Sequence, residues 1–595
     1  VLFARPAATG EFFARDWIEL VTVHELVHAF HLERSGAVGE VVRAVLGRVP
    51  AWWPVFPVIA TPSWSTEGLA THYESRLTGA GRIQSSFHDM IIRTAALADA
   101  LPGLDETSAP NPVWPAGNRA YIYGGHFMRW VTDRYGPDAH RAIIDATAGS
   151  LWPTFFRFDH VAERALGTPF DALYREWRTG AMDSARAVAE RVRAAGVTET
   201  RPVAGRGPFA VAPRVSPDGR RLAFAASDWR SDPATRLVDL GTGGVRELAR
   251  RNQFGAVLDP ASWLPDGDGV VVAQLEFEGP YRLYSDLWRV DLEGRERRLT
   301  RGLRLAQPDV GPDGRVAAIG ADRGALELVV HDPAAGASRV LAGARPGQSF
   351  DGPRWSPDGR RIAVARHTDG RTDLVVVDVA TGETVRGTDD SPRDLAPAWS
   401  PDGRWLLWWS DRTGIPNILA VAFRDGRPAG PIRQVTNVVT GVIDPEVSPD
   451  GGTLYLAAYN ADGWRIEAMP FDPSTWRQAP PPAELYSDAL LRAPVPLSGA
   501  ADDPGGQAGE ARAAGTTADA AEGAADRAPR VGGEGDGLRF FGATVSGRDV
   551  VGRHSWLLEV GGDFDTARLR GTGFWLYRGL GSPELFVAAE HCGGS

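Results

Sequence analysis

The sequence predicts a multidomain chain in which a mainly α-helical domain precedes an all-β propeller of six blades. Three observations lead to this architecture: an H-E-x-x-H motif in an apolar helical run, a Pro-Asp-Gly turn that recurs six times, and an abrupt change of composition after the last of these turns. They divide the chain into a helical domain over 1–200, a propeller over 205–480, a low-complexity linker over 481–540 and a β segment over 541–595.

The first element is a helix that carries His24, Glu25 and His28 between apolar flanks. Two histidines four residues apart stand on one helix face, so both imidazoles can reach a single ion while Glu25 lies beside it. Zinc held by protein ligands lowers the pKa of a water molecule, and a nearby carboxylate can take its proton. The alternative is a chance match in a core helix, but a core helix rarely carries two histidines and a glutamate. The motif therefore predicts metal-assisted hydrolysis with Glu25 as the base.

A second helix downstream is predicted to supply the third metal ligand. Its start reads W-x-x-E-G-x-A, with Trp64, Glu67 and Gly68 at the defining positions. Ser65 is the predicted N-cap, which puts Glu67 in the first helical turn, where the helix dipole favours a carboxylate.

These two patterns together resemble those of the gluzincin metallopeptidases, in a peptidase MA-like form. The resemblance implies a Zn²⁺ site formed by His24, His28 and Glu67, and a β-sheet before the zinc helix, so that the domain is expected to start before Val1. The metzincin alternative needs a glycine and a third histidine that are missing after His28. His31 lies on roughly the same helix face and is predicted to support the ligands or to fill the core rather than to bind metal.

Gluzincins also commonly use a tyrosine or histidine to stabilise the oxyanion that forms when water adds to the peptide carbonyl. The leading candidate is Tyr123, followed by His126 and Tyr121. An aromatic run that opens a helix is equally typical of packing. Arg82 is expected either to line the substrate cleft or to pair with a surface acid.

The propeller prediction rests on six Pro-Asp-Gly turns whose prolines are 48, 47, 45, 44 and 48 residues apart. Proline fixes φ and Asp-Gly completes the chain reversal, so each copy marks a hairpin, and a regular period of this length indicates propeller blades. The repeats resemble the PD40, or WD40-like, blades of TolB and of tricorn-type proteases. The aspartates from Asp218 to Asp450 are interpreted as turn residues and not as calcium ligands. No nucleophile elbow accompanies the blades, so the propeller is predicted to bind a substrate or a partner protein.

The composition from Ser498 to Gly537, dominated by Ala, Gly, Asp and Glu, predicts a disordered linker. The strands that follow, over 555–560, 567–578 and 584–589, resemble the start of an outer-membrane barrel, which implies outer-membrane association through this C-terminal segment. A small soluble β module is the alternative.

The formal net charge of −11 argues against nucleic acid as a partner. The single cysteine, Cys592, excludes an internal disulfide framework and a Cys-type zinc site. The sequence thus predicts a zinc metallopeptidase of the bacterial cell envelope, periplasmic or outer-membrane associated, that acts on a peptide or protein substrate. The alternative is a non-catalytic envelope binding or assembly protein that contacts an envelope protein partner through its propeller.

Overall fold

The computed structural model describes residues 17–46, 58, 61–108, 114–150 and 158–483, with short gaps at 206, 229–230, 252–258, 279–281, 323 and 346, and the backbone of five strands between 525 and 592. Its contacts divide the chain into two compact units. The first comprises residues 1–30, 62–140 and 167–496, and the second comprises 31–61, 141–166 and 497–595. The chain is multidomain as predicted, with a helical N-terminal region and a β-rich, propeller-like region after it.

The helical region contains eight α-helices among the described residues, and a single π-helical turn at Ala120–Gly124 leads directly into the fifth of them. In chain order they are α1 Trp17–Leu32, α2 Ala37–Leu46, α3 Ser63–Thr78, α4 Ser86–Leu97, α5 Gly125–Tyr135, α6 Ala139–Ala148, α7 Phe158–Leu166 and α8 Phe170–Ala194. None of the described helices is both long enough and apolar enough to span a membrane.

The helix α3 is the centre of the helical part of the first unit. Its Trp64 is 2% exposed and packs against Phe127 of α5 and Phe170 of α8, with ring centroids 5.6 and 5.0 Å apart. The helix ends at Thr78 because Gly79 adopts the left-handed conformation, with φ of 67°, which costs a glycine little. The predicted N-cap Ser65 is wrong: the helix begins two residues earlier, at Ser63 after Pro62, and Ser65 is buried inside it.

Six antiparallel blades of four strands each follow, one for each Pro-Asp-Gly turn, and a parallel pairing between one strand of the third blade and one of the fourth joins these two blades into an eight-stranded sheet. The first five blades take their strands in chain order, and the sixth is completed by the strand that follows α8, because β1 pairs with β24. The strands are β1 Arg201–Ala204; β2 Phe209–Val215, β3 Arg221–Ser227, β4 Ala234–Asp239 and β5 Val245–Arg250; β6 Ser262–Trp263, β7 Gly269–Phe277, β8 Leu283–Asp291 and β9 Glu296–Arg298; β10 Leu305–Val310, β11 Val316–Asp322, β12 Ala325–Asp332 and β13 Ala337–Ala342; β14 Gln348–Trp355, β15 Arg361–Thr368, β16 Arg371–Asp378 and β17 Thr384–Arg386; β18 Asp394–Trp399, β19 Trp405–Ser410, β20 Asn417–Arg424 and β21 Arg427–Gln434; β22 Val442–Val447, β23 Thr453–Asn460 and β24 Gly463–Pro470. A short strand, β25 Arg477–Gln478, pairs with the edge of the fifth blade at β21.

The first strands of successive blades contact one another, and β22 of the last blade contacts β2 of the first, which closes the ring. The blades pack through buried branched and aromatic residues, as in the cluster formed by Leu374, Trp408 and Val442 with their neighbours. Val192 of α8 belongs to this same cluster, so the long helix packs against the propeller.

The Pro-Asp-Gly turns show why each of the three residues is needed. In the first, Ser216 Oγ and the Arg220 backbone N–H both donate to Asp218 Oδ1, at 2.6 and 3.0 Å. Gly219 has a φ of 71°, a conformation that other residues adopt only with strain. The aspartates act as turn residues, because their oxygens are occupied by the turn's own N–H and hydroxyl groups.

The second unit contains α2, most of α6, α7 and a five-stranded antiparallel sheet. Within it, Arg34 Nε donates to Asp145 Oδ1 at 2.8 Å, which joins the segment before α2 to α6. The strands of the sheet pair in chain order, and they are β26 Ala525–Gly532, β27 Phe540–Arg548, β28 His554–Asp563, β29 Arg568–Tyr577 and β30 Leu585–Cys592.

The last three of these strands overlap the predicted ones, and the outer-membrane assignment stays a prediction. The strand β26 lies inside the segment predicted as a linker. Pairing with β27 satisfies its backbone groups, and composition alone gives no sign of such pairing. Residues 484–524 and 533–539 of the predicted linker lie outside the described residues.

Candidate metal centre

The predicted ligands come together between α1 and α3. His24 and His28 are one helical turn apart on α1, and Glu67 projects from α3 towards both. The atom His24 Nε2 lies 3.1 Å from His28 Nε2 and 3.3 Å from Glu67 Oε2, and His28 Nε2 lies 3.2 Å from the same oxygen. The three donor atoms thus form a nearly equilateral triangle.

This triangle has the dimensions that a zinc ion requires. Zinc bonds to nitrogen and oxygen of 2.0–2.1 Å at tetrahedral angles separate two ligand atoms by about 3.3 Å. Two imidazole nitrogens and one carboxylate oxygen are also a common donor set of catalytic zinc, in which the fourth position is left to water or substrate. The residues present therefore fit Zn²⁺.

A buried ion pair contacts the Nδ1 side of His24, opposite the nitrogen that faces the triangle. Glu74 has no exposed surface, and its Oε2 lies 2.7 Å from His24 Nδ1. Arg82 donates to both oxygens of the same carboxylate, from Nε at 2.8 Å and from Nη2 at 2.6 Å. An ionised carboxylate only accepts, so the proton of His24 sits on Nδ1 and the lone pair on Nε2 faces the triangle.

The charged and polar groups around the triangle lower the pKa of both Glu74 and Glu67. Burial disfavours the ionised form of Glu74, but the Arg82 guanidinium and the hydrogen bonds outweigh burial and lower the pKa of this carboxyl. Burial likewise opposes ionisation of Glu67, whose pKa is nevertheless lowered by the adjacent imidazoles of His24 and His28. Both carboxylates are therefore anionic at neutral pH. The prediction that Arg82 pairs with a surface acid is wrong, because its partner Glu74 is a core residue.

Close backbone contact between α3 and the π-helical turn explains the glycine of the W-x-x-E-G pattern. A Cβ atom at Gly68 would lie 2.5 Å from the backbone carbon of Gly124, and one at Gly124 would lie 2.3 Å from the carbonyl oxygen of Trp64. Only two glycines allow this approach, which brings the π-helical turn alongside Glu67. Turns of this kind occur frequently at functional sites.

The π-helical turn presents Tyr121 to the ligands, and not Tyr123. The Tyr121 ring stacks on that of His24 with centroids 6.0 Å apart, and the Arg82 guanidinium carbon lies 4.7 Å from the Tyr121 centroid. Residues two positions apart on a helix point to opposite sides. Tyr123, 2% exposed, accordingly lies in the core, where burial raises its pKa to about 12 against the effect of Arg119.

Burial also raises the pKa of the Tyr121 phenol to about 12, and the carboxylates of Glu67 and Glu25 act in the same direction while Arg82 opposes them. Tyr121 therefore keeps its proton and can donate a hydrogen bond throughout the neutral range. Glu25 is exposed on α1, next to the ligand His24 in the chain.

The two remaining histidine candidates lie elsewhere. His126 lies beside His88 of α4, with ring centroids 5.9 Å apart, and burial lowers its pKa to about 4 despite the nearby Asp89 carboxylate. His31 is buried near the end of α1, as predicted for a core residue. The sequence analysis missed the role of Glu74, although its position seven residues after Glu67, two helical turns along the same face, was a usable signal.

A second candidate site is a cavity of about 240 Å³ at the end of the propeller axis where the first strands of the blades enter their Pro-Asp-Gly turns. Trp263 and Trp355 line it together with Arg214, Arg354 and Asp309. Arg354 bonds Glu446 Oε2 at 2.7 Å and lies 3.4 Å from Asp309 Oδ1.

Arg214 differs from Arg354 in its partners. It donates from Nη1 to the Pro213 carbonyl at 2.8 Å, and its Nε has no hydrogen-bond partner among the described residues. Burial lowers the pKa of its guanidinium to about 10, which still leaves it charged at neutral pH. This cavity therefore offers one cation and two indole rings to a ligand.

Comparison with known proteins agrees with this architecture. Residues 290–479 match the PD40 family, described as the TolB beta propeller domain. The chain contains a TolB-like propeller domain. The match covers the third to sixth blades of the ring, while the first two follow from the same turn repeat and the same sheet order.

Three curated relatives and one solved structure are similar to parts of this chain. An uncharacterised protein of Agrobacterium fabrum is 29% identical over 217 residues, which are 35% of this chain and 69% of its own length. The uncharacterised peptidase YuxL of Bacillus subtilis is 33% identical over 125 residues, covering 20% of this chain and 19% of YuxL. The Tol-Pal system protein TolB of Anaeromyxobacter dehalogenans is 32% identical over 120 residues, covering 19% of this chain and 27% of that protein. The structure of a putative TolB from Agrobacterium tumefaciens aligns with a TM-score of 0.32 and 24% identity over 40% of this chain and 83% of its own.

Proposed function

We propose that this protein is a zinc-dependent metallopeptidase of the gluzincin type that hydrolyses peptide bonds of a peptide or protein substrate in the bacterial cell envelope. The observation that carries the proposal is the triangle of donor atoms of His24, His28 and Glu67, 3.1 to 3.3 Å on a side. Zinc in this position supplies a Lewis acid and a water molecule of lowered pKa.

The side chains around the triangle have separate roles in the proposed peptide hydrolysis. Glu25 is the general base that takes a proton from the attacking water and returns one to the leaving amine. Tyr121, which keeps its phenolic proton, donates a hydrogen bond to the oxygen on which negative charge develops. Glu74 and Arg82 fix the ring and tautomer of His24 and do not touch the substrate.

The test compares Glu25→Gln with Glu67→Ala. Glu25→Gln is expected to bind about one zinc per chain and to lose activity on a peptide library by about 10²-fold or more, since a general base contributes about 10²–10⁴-fold. Glu67→Ala is expected to lose both zinc and activity. Glu19→Gln, an exposed acid at the start of the same helix, is the matched control and should behave as wild type. Equal activity of wild type and Glu25→Gln would refute the proposal.

The axial cavity favours a second candidate function, that of an envelope binding or assembly protein whose TolB-like propeller captures a partner. Its specific observation is Arg214, a half-buried cation whose Nε lacks a partner among the described residues of the propeller. The two functions separate in a complementation experiment in the source bacterium. Loss of complementation by Glu25→Gln supports the peptidase, whereas full complementation by Glu25→Gln with loss by Arg214→Gln supports the binding protein.

A further inference from the structure

Three carboxylates meet between the fourth and fifth blades of the propeller, far along the chain from the proposed zinc ligands. Asp373 lies on β16, Asp390 follows β17 and Asp394 begins β18. One oxygen of each lies within 4.8 Å of one oxygen of each of the others. Asp394 is 2% exposed, and the other two are half-buried.

The charge of this group is only partly balanced. Arg412 bonds Asp390, and Arg393, the residue next to Asp394, is occupied by Asp411 at 2.8 Å. No ion pair to Asp373 or Asp394 occurs among the described residues. Three carboxylates therefore share one guanidinium, and burial together with the neighbouring Asp390 charge raises the pKa of Asp394 well above its usual range.

The other blades show what the fold itself requires at this position. The residue seven places before the proline of the Pro-Asp-Gly turn is buried and apolar in each of the four other blades where it is described, namely Ala210, Leu305, Phe350 and Val442. The residue paired with it on the next strand is Ala226, Gly320, Arg366 and Ala458 in those blades. Among the five blades in which this position is described, the fifth alone has a carboxyl and a hydroxyl here, in the pair Asp394 and Ser410. Packing of the blade does not call for a carboxyl group here.

Asp373 has a partly structural role that the repeat also reveals. Asp373 accepts hydrogen bonds from the Thr388 hydroxyl and from the backbone N–H of Asp390. Asp286 in the second blade and Asn417 in the fifth occupy the same place, and each likewise accepts hydrogen bonds from a threonine hydroxyl and a loop N–H. In the second blade Arg298 compensates Asp286 at 2.6 Å. Asp373 has the loop contacts without such a cation.

A further polar group points into the cluster. Ser410 is 1% exposed, and its Oγ makes no hydrogen bond of normal geometry in the described structure, yet it lies close enough to Asp394 to lower the pKa of that carboxyl. Trp408 is fully buried, and its indole N–H also lies close enough to Asp394 to lower the pKa of that carboxyl. The Ser410 hydroxyl oxygen, on the residue paired with Asp394 across the two strands, is a fourth candidate donor for a cation that prefers oxygen.

We propose that Asp373, Asp390, Asp394 and Ser410 form a Ca²⁺ site that fastens the fourth blade to the fifth. Ca²⁺ binds six to eight oxygens at 2.3–2.6 Å, so two oxygens across the ion are up to about 5 Å apart, which the cluster satisfies. An all-oxygen donor set selects Ca²⁺ over Zn²⁺, which prefers imidazole and thiolate. The site lies beside Arg393 and Asp411, which also bind Ser86 of α4, so the ion would stiffen the joint between the helices and the propeller.

The first experiment uses Tb³⁺ as a luminescent substitute for Ca²⁺. Because the Trp408 indole N–H lies close to Asp394, excitation of tryptophan is expected to sensitise Tb³⁺ emission that added CaCl₂ abolishes. Asp394→Leu should lose this emission at least about 10-fold and should fold, since leucine occupies the same place in the third blade at Leu305. Asp402→Asn, an exposed turn residue of the same blade, should keep it.

The second experiment measures thermal unfolding of the full chain in a Glu67→Ala background, which removes the proposed zinc site. Millimolar CaCl₂ is expected to raise the midpoint of unfolding by at least about 2 °C, and Asp394→Leu should abolish the increase while raising the midpoint without Ca²⁺. Asp390→Asn changes a half-buried loop residue and should weaken the Ca²⁺-dependent increase of the midpoint. This variant keeps the test decisive if Asp394→Leu does not fold. A cluster that holds shared protons only would show neither CaCl₂-sensitive Tb³⁺ emission nor a Ca²⁺-dependent midpoint, and that result would overturn the proposal.

Discussion

His24 Nδ1 lies 2.7 Å from Oε2 of Glu74, a carboxylate with no exposed surface. This contact settles which nitrogen of the histidine carries the proton and which faces the other two donor atoms. The carboxylate in turn depends on Arg82, which holds it ionised in the core. The orientation of His24 in the candidate metal centre is thus set by residues that are not among the proposed ligands.

Replacing Glu74 by glutamine should weaken zinc binding about 10- to 100-fold, because an amide can present its N–H group to His24 and no longer fixes the tautomer. The measurement is zinc affinity by competition with a chelator of known affinity. Glu25→Gln is the control, since Glu25 is not a ligand. Unchanged affinity in Glu74→Gln would show that Glu74 serves packing alone.

Tyr121→Phe should lower kcat about 10²- to 10³-fold with little change in KM, since it removes a donor that acts on the transition state. Tyr123→Phe is the matched control, two residues away on the opposite side of the same turn, and should leave kcat within about twofold of wild type. Steady-state kinetics on the best peptide substrate measure both. A larger loss in Tyr123→Phe than in Tyr121→Phe would contradict the assignment.

Acid should destabilise the first unit through buried neutral histidines. Burial lowers the pKa of His140, which is 2% exposed, to about 4, below its usual 6.5, and that of His72, whose ring centroid is 5.1 Å away, to about 2. The unfolded chain binds more protons below pH 6.5, so stability is lost as the pH falls from 6.5 towards 4, by on the order of 3 kcal/mol for His140.

Urea unfolding at several pH values measures this effect. His140→Gln keeps a donor for the Met128 carbonyl and should flatten the dependence of unfolding free energy on pH in this window. His160→Gln, an exposed histidine, should leave it unchanged. Equal slopes for wild type and His140→Gln would exclude His140 as the cause.

The ion pair between Arg393 and Asp411 should be essential for stability, because both side chains are at most 2% exposed. Asp411→Ala removes this carboxylate from a buried guanidinium and is expected to cost about 3–5 kcal/mol. Asp389→Ala, in the exposed pair with Arg386, should cost less than about 1 kcal/mol. Chemical unfolding compares the two, and similar losses would disprove the difference.

Patterns that repeat or that demand a particular chemistry could be predicted from the sequence. The Pro-Asp-Gly period gives the six blades, since each turn needs the same three residues, and the spacing of His24 and His28 gives one face of one helix. The start of α3 could not be predicted well, because Pro62 begins a helix as readily as Ser65 caps one.

The choice between Tyr121 and Tyr123 depends on which side of a π-helical turn faces α1, and this is decided by the contact of Gly68 with Gly124. Such contacts between distant segments leave no local pattern. The pairing of Asp394 with Ser410 likewise becomes visible only when strand register aligns the blades.

The pairing of β1 with β24 has a practical consequence for dissecting the protein. A fragment that starts at the predicted border near residue 205 lacks Arg201–Ala204 and exposes the unpaired edge of β24, which invites association between copies. A fragment that starts before Arg201 retains this strand and should stay monodisperse. The first strand of the propeller in the chain therefore completes its last blade. A fragment for expressing the propeller alone should begin between the last helix and this strand.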